Sequence, residues 1–320
     1  MSARVAVIGA SGWAGSRHVA AFVQAGARVT SLVDPSPATA ELAARCGAEV
    51  VDDVAHLEPS EHELVVVSLP SSLQPDVVRS LLERGHRVLV EKPLAPGLAA
   101  TASLAGVTGV DDRLMVGFTL RGHPAVERLR SWVAGGAPVA VSLRSVARKH
   151  AVESWRADPA EGGVLVVNGV HALDLAAHLL GSPARVLAVE ESDRLYDAGV
   201  ADHTAVTTRL GVTLVRLETY WSPWDNPEGL NDGDWDLTVD LVAPHGRRLW
   251  RNDRMHCWDR DGGYDVVEFG SLDLFKVQAD AALVFATGGQ PPAGFADALA
   301  TARLVDAIAR DGRTAKVVAE

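Results

Sequence analysis

With 320 residues, 48% of them hydrophobic and 22% charged, the chain has the make-up of a globular protein with room for two domains, which excludes disorder as its default state. Lys and Arg number 30 against 41 Asp and Glu, a net charge of −11 that disfavours nucleic-acid and anionic-membrane partners and leaves a small molecule as the expected one. Cys46 and Cys257 are too few for a disulfide framework or a cysteine zinc site, and no run approaches the roughly 18 apolar residues of a membrane span, so a cytoplasmic protein is expected.

Arg4 to Ile8 is an apolar, β-prone run that opens into Gly9-Ala10-Ser11-Gly12-Trp13-Ala14-Gly15, and residues 16 to 25 then carry a helical pattern. Strand, glycine turn and helix in that order let the backbone turn tightly and approach a pyrophosphate, with free helix N–H groups aimed at its charge. Three glycines in such a turn also serve packing alone. Their spacing is G-x-x-G-x-x-G rather than G-x-G-x-x-G. A second strand pattern over 28 to 33 ends at Asp34, 19 positions after Gly15. A carboxylate there accepts hydrogen bonds from ribose hydroxyls and repels a 2′-phosphate; no basic residue follows until Arg45, so NAD is expected over NADP. An Asp that only initiates the Pro35-Ser36-Pro37 turn fits the same residues.

Leu64 to Leu69 is a third buried-strand run, closed by Pro70-Ser71-Ser72 and followed by a helical pattern over 75 to 83. Arg87-Val88-Leu89-Val90 then runs straight into Glu91-Lys92-Pro93, and Leu114 to Phe118 supplies a further strand. This alternation predicts a parallel, doubly wound sheet with the glycine turn, Asp34, Pro70 and Lys92 along one edge, where open α/β sheets place their ligands. Pro93 biases Lys92 towards extended backbone, so its amine sits on stiff chain, placed to give or take a proton. A solvated Lys beside a Glu before a turn is the plainer alternative.

The chain carries an ordered set of motifs: Gly12-x-x-Gly15-x-x-His18, Val33-Asp34-Pro35, Ser68-Leu69-Pro70, Glu91-Lys92-Pro93, Gly117 through Pro124, Trp155-Arg156, Gly162-Gly163 and His171-x-x-Asp174. Together they resemble the Gfo/Idh/MocA oxidoreductases. The resemblance implies an α/β Rossmann domain over 1–120 and an α+β domain over 121–320 with an open, mostly antiparallel sheet, the last helices packing back on the first domain. It also implies a nicotinamide cofactor, Lys92 as the proton-transferring residue and His171 as its catalytic partner. The candidate cofactor-binding residues are Gly9, Ser11, Gly12, Trp13, Ala14, Gly15, Asp34, Leu69, Pro70, Gln74, Glu91, Lys92 and Arg121. The candidate substrate-binding residues are Lys92, Arg121, Trp155, Arg156, Asn168 and His171. Family members with a Lys-Asp-His set place the Asp four residues before the His, which here is Val167, a side chain unable to relay a proton. Either His171 works with Lys92 alone, or Asn168 orients it, or the reaction differs. Thr119 and Leu120 depart from the family pattern as well.

Residues 139 to 147 return to a β pattern. Trp155 and Arg156 either clamp a ring or phosphate or serve as core and solvated residues respectively. Val164 to Leu180 ends as a helix with His171, Asp174 and His178 at helical spacing; no further ligand set accompanies them, and no metal is expected. Alternation over 202 to 221 and 235 to 268 predicts antiparallel strands around a Gly, Asp, Asn and Pro cluster at 222 to 233. The open face of that sheet is expected to be covered by another subunit in a homodimer or homotetramer. Five tryptophans, Trp221, Trp224, Trp235, Trp250 and Trp258, fall in this part, either as a sugar-stacking wall or as core and interface. Residues 272 to 287 and 295 to 310 read as closing helices.

The expected chemistry is reversible hydride transfer between nicotinamide and a secondary alcohol or ketone of a sugar, cyclitol or related polyol. Two alternatives keep the fold: transient use of NAD in a reaction without net oxidation, and a non-catalytic dinucleotide-binding regulator.

Overall fold

The computed structural model describes residues 2–152, 154–181, 184–224, 229–230 and 234–312; most of the expected turn cluster, 225–228 and 231–233, lies outside the described residues. The chain forms two compact units, Met1–Gly122 with Leu274–Leu299 and His123–Asp273 with Ala300–Glu320.

In the first unit, β1 (Arg4–Ile8), β2 (Arg28–Val33), β3 (Glu49–Val50), β4 (Leu64–Val67), β5 (Val88–Val90) and β6 (Leu114–Val116) pair in the order β3-β2-β1-β4-β5-β6. Every pairing is parallel, the doubly wound sheet that the alternation predicts. Helices α1 (Trp13–Gln24), α2 (Ala38–Cys46), α3 (Gln74–Glu83) and α4 (Leu98–Ala102) form the connections. Every residue of β4, β5 and β6 is buried, which explains why these strands are unbroken apolar runs. Their core, built around Val7, Phe22, Leu32, Leu64 and Val66, is completed by Phe275, Ala279, Ala282 and Phe285 from a helix far along the chain, Leu274–Ala286.

The second unit holds α5 (Pro124–Ala134), β7 (Ala140–Arg148), α6 (Val170–Leu180) and the strands β8 (Ala184–Ser192), β9 (His203–Leu210), β10 (Thr213–Ser222), β11 (Trp235–Ala243), β12 (Gly246–Arg251), β13 (Arg254–Asp259) and β14 (Tyr264–Glu268). They form one sheet in the order β14-β13-β12-β11-β7-β10-β9-β8, antiparallel except where β7 meets β10. Strand β8, mostly exposed and without clean alternation, is among the elements that the residue pattern does not announce, as are α2 and α5. Along β7, β10 and β11 one face is buried through Val141, Leu143, Val215, Leu217, Leu237 and Val239. The other presents Arg144, Glu218, Asp236 and Asp240, which pair across strands, Asp240 with Arg247 of β12. Trp221 and Trp250 are fully buried core residues, whereas Trp224 is exposed. The chain closes with α7, the Leu274–Ala286 helix, and α8 (Phe295–Gly312). Among the described residues no helix is long and apolar enough to cross a membrane.

Candidate active site

β1 delivers the glycine turn to the carboxyl edge of the first sheet, and its three glycines do different work. Gly9 takes φ +74°, and a Cβ there would stand 2.1 Å from the Ser68 carbonyl oxygen. A Cβ on Gly15 would stand 2.0 Å from the Gly9 oxygen. These two positions let strand, turn and helix close on one another. Gly12 is the N-cap of α1; it supplies no side-chain bond, and the first turn holds no acidic residue. The leading N–H groups therefore suit an anion such as a pyrophosphate. Beyond β2, Asp34 is held by backbone donors, the Ser11 N–H to Oδ2 at 2.9 Å and the Ser36 N–H to Oδ1 at 2.8 Å. Each oxygen keeps acceptor capacity for a ribose hydroxyl. The Ser11 and Thr39 hydroxyls lie 2.7 Å apart, so α2 braces the same turn. Leu69 borders Gly9, Pro70 accepts the Leu73 N–H at 3.0 Å, and Trp13, half exposed, carries the Arg17 guanidinium 3.9 Å from its ring centre. A cradle shaped by absent Cβ atoms, with an oriented carboxylate beside it, fits a dinucleotide.

Lys92 follows β5 by two residues. The Glu91 N–H continues the pairing to the Val67 oxygen at 2.8 Å. Gln74, buried at the start of α3, donates Nε2–H to the Glu91 oxygen at 3.0 Å and to the Pro93 oxygen at 2.6 Å, so one amide ties the carbonyls on either side of Lys92. The Glu91 side chain turns inward: Oε1 lies 2.7 Å from His18 Nε2, and Oε2 accepts the Lys92 N–H at 3.2 Å. Burial pushes the Glu91 carboxyl up, but the His18 hydrogen bond and the Lys92 charge outweigh it and hold the group below the usual carboxylate range. Arg121 is buried in a 2.9 Å ion pair with Asp297 and donates to the Pro292 oxygen at 3.1 Å. Gln74, Glu91 and Arg121, expected at the cofactor, thus direct these polar atoms at the protein itself.

In the second unit the helix bearing His171 starts irregularly, with a π turn at Leu165–Gly169 before α6. Such a turn changes which side chains share a face. Val167 lies in an apolar cluster with Ala147, Val164, Val200 and Trp221, so a core residue occupies the place of the family Asp. Asn168 Oδ1 accepts the Trp221 indole N–H at 2.7 Å. His171 is buried, its ring centre 4.9 Å from that of Trp235, whose N–H donates to Ser145 Oγ at 2.8 Å. Trp155 packs against the Val167 cluster and carries the Arg156 guanidinium 4.7 Å from its ring centre; burial holds that guanidinium below its ordinary pKa. Ser145, Trp221 and Trp235 hold these side chains and carry no local sequence signal beyond lying on strands. His18 does carry one: a histidine on the apolar side of α1, next to Val19 and one turn from Phe22.

Two family models cover most of the chain, the oxidoreductase family with NAD-binding Rossmann fold at residues 3–118 and the GFO/IDH/MocA C-terminal domain at 126–237. The chain belongs to the Gfo/Idh/MocA oxidoreductase family. Its relatives named below are dehydrogenases. Inositol 2-dehydrogenase 2 of Paenarthrobacter aurescens is 28% identical over 99% of both chains, and the NADP-dependent D-xylose 1-dehydrogenase 2 of Haloferax volcanii is 28% identical over 80% of each. The crystal structure of an oxidoreductase domain protein from Kribbella flavida shares the fold, with TM-score 0.84 at 21% identity over 98% of both chains.

Proposed function

We propose that this Gfo/Idh/MocA member is an NAD-dependent dehydrogenase of a cyclitol, sugar or related polyol, with Lys92 as the residue that moves the proton on the substrate oxygen. The observation that carries this reading is the setting of Lys92 at a strand end, its flanking groups tied to β4 by Glu91 N–H, to α3 by Gln74 and to α1 by the Glu91–His18 bond. The activities named for the inositol and xylose relatives support the substrate class.

The turn Gly9 to Gly15, with Ser11, Trp13 and Ala14, holds the pyrophosphate, Asp34 the ribose, and Leu69 and Pro70 border the nucleotide. Bound nicotinamide supplies or takes up the hydride. In oxidation, neutral Lys92 Nζ accepts the hydroxyl proton; in reduction the ammonium returns it. His171 hydrogen-bonds the substrate hydroxyl, and Trp155 and Arg156 contribute to the same recognition. Asn168 acts by holding Trp221, and Arg121 by holding Asp297. Asp34 favours NAD because its charge opposes a 2′-phosphate. The ion-paired open face of the second sheet joins copies of the chain into a homodimer or homotetramer.

The test is a panel of cyclitols, polyols and keto-sugars with NAD(H) and NADP(H). A change in nicotinamide absorbance with NAD, absent in Lys92→Met while that variant still binds NADH, is the expected result; full turnover in Lys92→Met sinks the reading. One observation favours a second reading. Val167, packed in the core, stands where family members with a Lys-Asp-His set carry the Asp, and product formed without net absorbance change would point to transient use of NAD.

A further inference from the structure

We propose that His18 is a positioning residue for Lys92, acting through Glu91, and that the two side chains form a buried brace that fixes the charge beside the amine. The inference rests on Lys92 as the proton-transferring group, and it gives His18 an electrostatic part beyond tying that segment to α1. Its imidazole is fully buried, with the Phe275 ring edge-on at a centroid distance of 5.0 Å and Phe22 at 6.3 Å. A polar ring in such surroundings needs a partner. Its Nδ1 is buried with no hydrogen-bond partner among the described residues, so the hydrogen bonding of the ring runs through Nε2 to Glu91. With Nδ1 bare against apolar neighbours, the one polar contact of the ring is the bond between Nε2 and Glu91, which favours the ionised carboxylate.

That charge is aimed. The second carboxylate oxygen takes the Lys92 N–H, and the titratable groups acting on Glu91 are His18 from α1 and Lys92 itself. From α3 comes the neutral amide of Gln74, and from α7 Phe275 and the neutral amide of Gln278, which borders Gly117 beside Glu91. An ionised carboxylate one residue away favours the ammonium form of Lys92. Because α1 begins at the glycine turn, the brace also connects the amine to the helix that receives the pyrophosphate.

The chain has four lysines, Lys92, Lys149, Lys276 and Lys316, so trace acetylation followed by peptide mass spectrometry reads the titration of each with the others as internal references. In Glu91→Gln, close in shape and uncharged, the Lys92 midpoint should move down by about half a pH unit or more while the other three stay. His18→Leu should move it the same way, since a buried carboxylate without its donor takes up a proton, and His18→Gln, which keeps an N–H donor, should restore it. With a keto substrate and NADH, the direction that draws on the ammonium form, the same variants should lower kcat about threefold or more above the labelling midpoint with KM little changed, and the limb of the pH profile should follow that midpoint. A purely structural role would reduce the folded fraction and move neither. An unmoved Lys92 midpoint in folded Glu91→Gln overturns the brace even if Lys92→Met is inactive. A moved midpoint with an active Lys92→Met leaves the brace standing and removes the catalytic reading.

Discussion

The two sheets bury themselves differently, and the difference decides where chemistry can appear. In the first, β4, β5 and β6 are apolar throughout because both faces are covered, so polar groups are displaced to strand ends, where Asp34 and Lys92 stand. In the second, β7, β10 and β11 alternate, and polar residues occur along their whole length. A few of these are turned into the core: Ser145 and Thr219 are fully buried, and Ser145 takes the indole N–H of Trp235, the ring beside His171. One unit places its reactive groups by topology, the other by individual contacts.

Lys92→Met tests the topological half and should have the largest effect, a loss of kcat of about 10²–10⁴-fold with NADH binding kept in a fluorescence titration. Next is Gly15→Ala, whose Cβ would meet the Gly9 carbonyl at 2.0 Å. Backbone cannot step aside, so about 3 kcal/mol of stability and the NADH site should both be lost. Gly169→Ala sharpens the contrast, because its Cβ meets a side-chain atom, Thr219 Cγ2, at 2.9 Å. A side chain can shift, and roughly 1 kcal/mol in urea denaturation is expected.

Acid should separate the units as well. His123 caps α5 by accepting the Ala125 N–H and lies buried beneath Trp250 and Phe269, where burial lowers its pKa from 6.5 to about 4. The unfolded chain then binds the extra proton first, so stability is full above about pH 6.5 and falls as pH drops towards 4, by roughly 3 kcal/mol at the limit. His123→Asn, which can still cap, should flatten that loss in urea titrations at neutral and mildly acidic pH. In the first unit Glu63 is lowered to about 2 chiefly by its hydrogen bond from Arg4. Its stabilisation is present above pH 4.5 and lost as pH falls through about 2. More than a third exposed, it contributes less than about 1 kcal/mol after screening, so Glu63→Gln should move the denaturation midpoint least of all. Trp221→Phe lies between these, at about 1–2 kcal/mol, because it leaves the Asn168 oxygen without its donor. A Trp221→Phe as stable as the parent would break the claim that the second unit is organised by such contacts.

Period and spacing made the first unit readable: the unbroken runs became parallel strands, and the helices expected near 75–83 and 272–287 formed at Gln74–Glu83 and Leu274–Ala286, while that expected at 295–310, formed at Phe295–Gly312, runs from the first unit into the second. β8 carries a short apolar run, Val186 to Val189, yet escaped because it is mostly exposed and its residues do not alternate between a buried and a solvent face. Around His171 residue spacing shows the helix but not its irregular start, since an α pattern does not reveal a π turn.

The amino-acid order by itself determined the alternating strands and helices, the glycine turn and the residues that end each strand, because burial on both faces and backbone freedom are local demands written into residue type. Only the tertiary structure decided that Glu91 faces His18, that Gln74 grips the chain around Lys92, that Arg121 pairs with Asp297 and that Asn168 serves Trp221. Those bonds join residues distant in sequence, and a buried polar group takes whichever partner folding brings within reach.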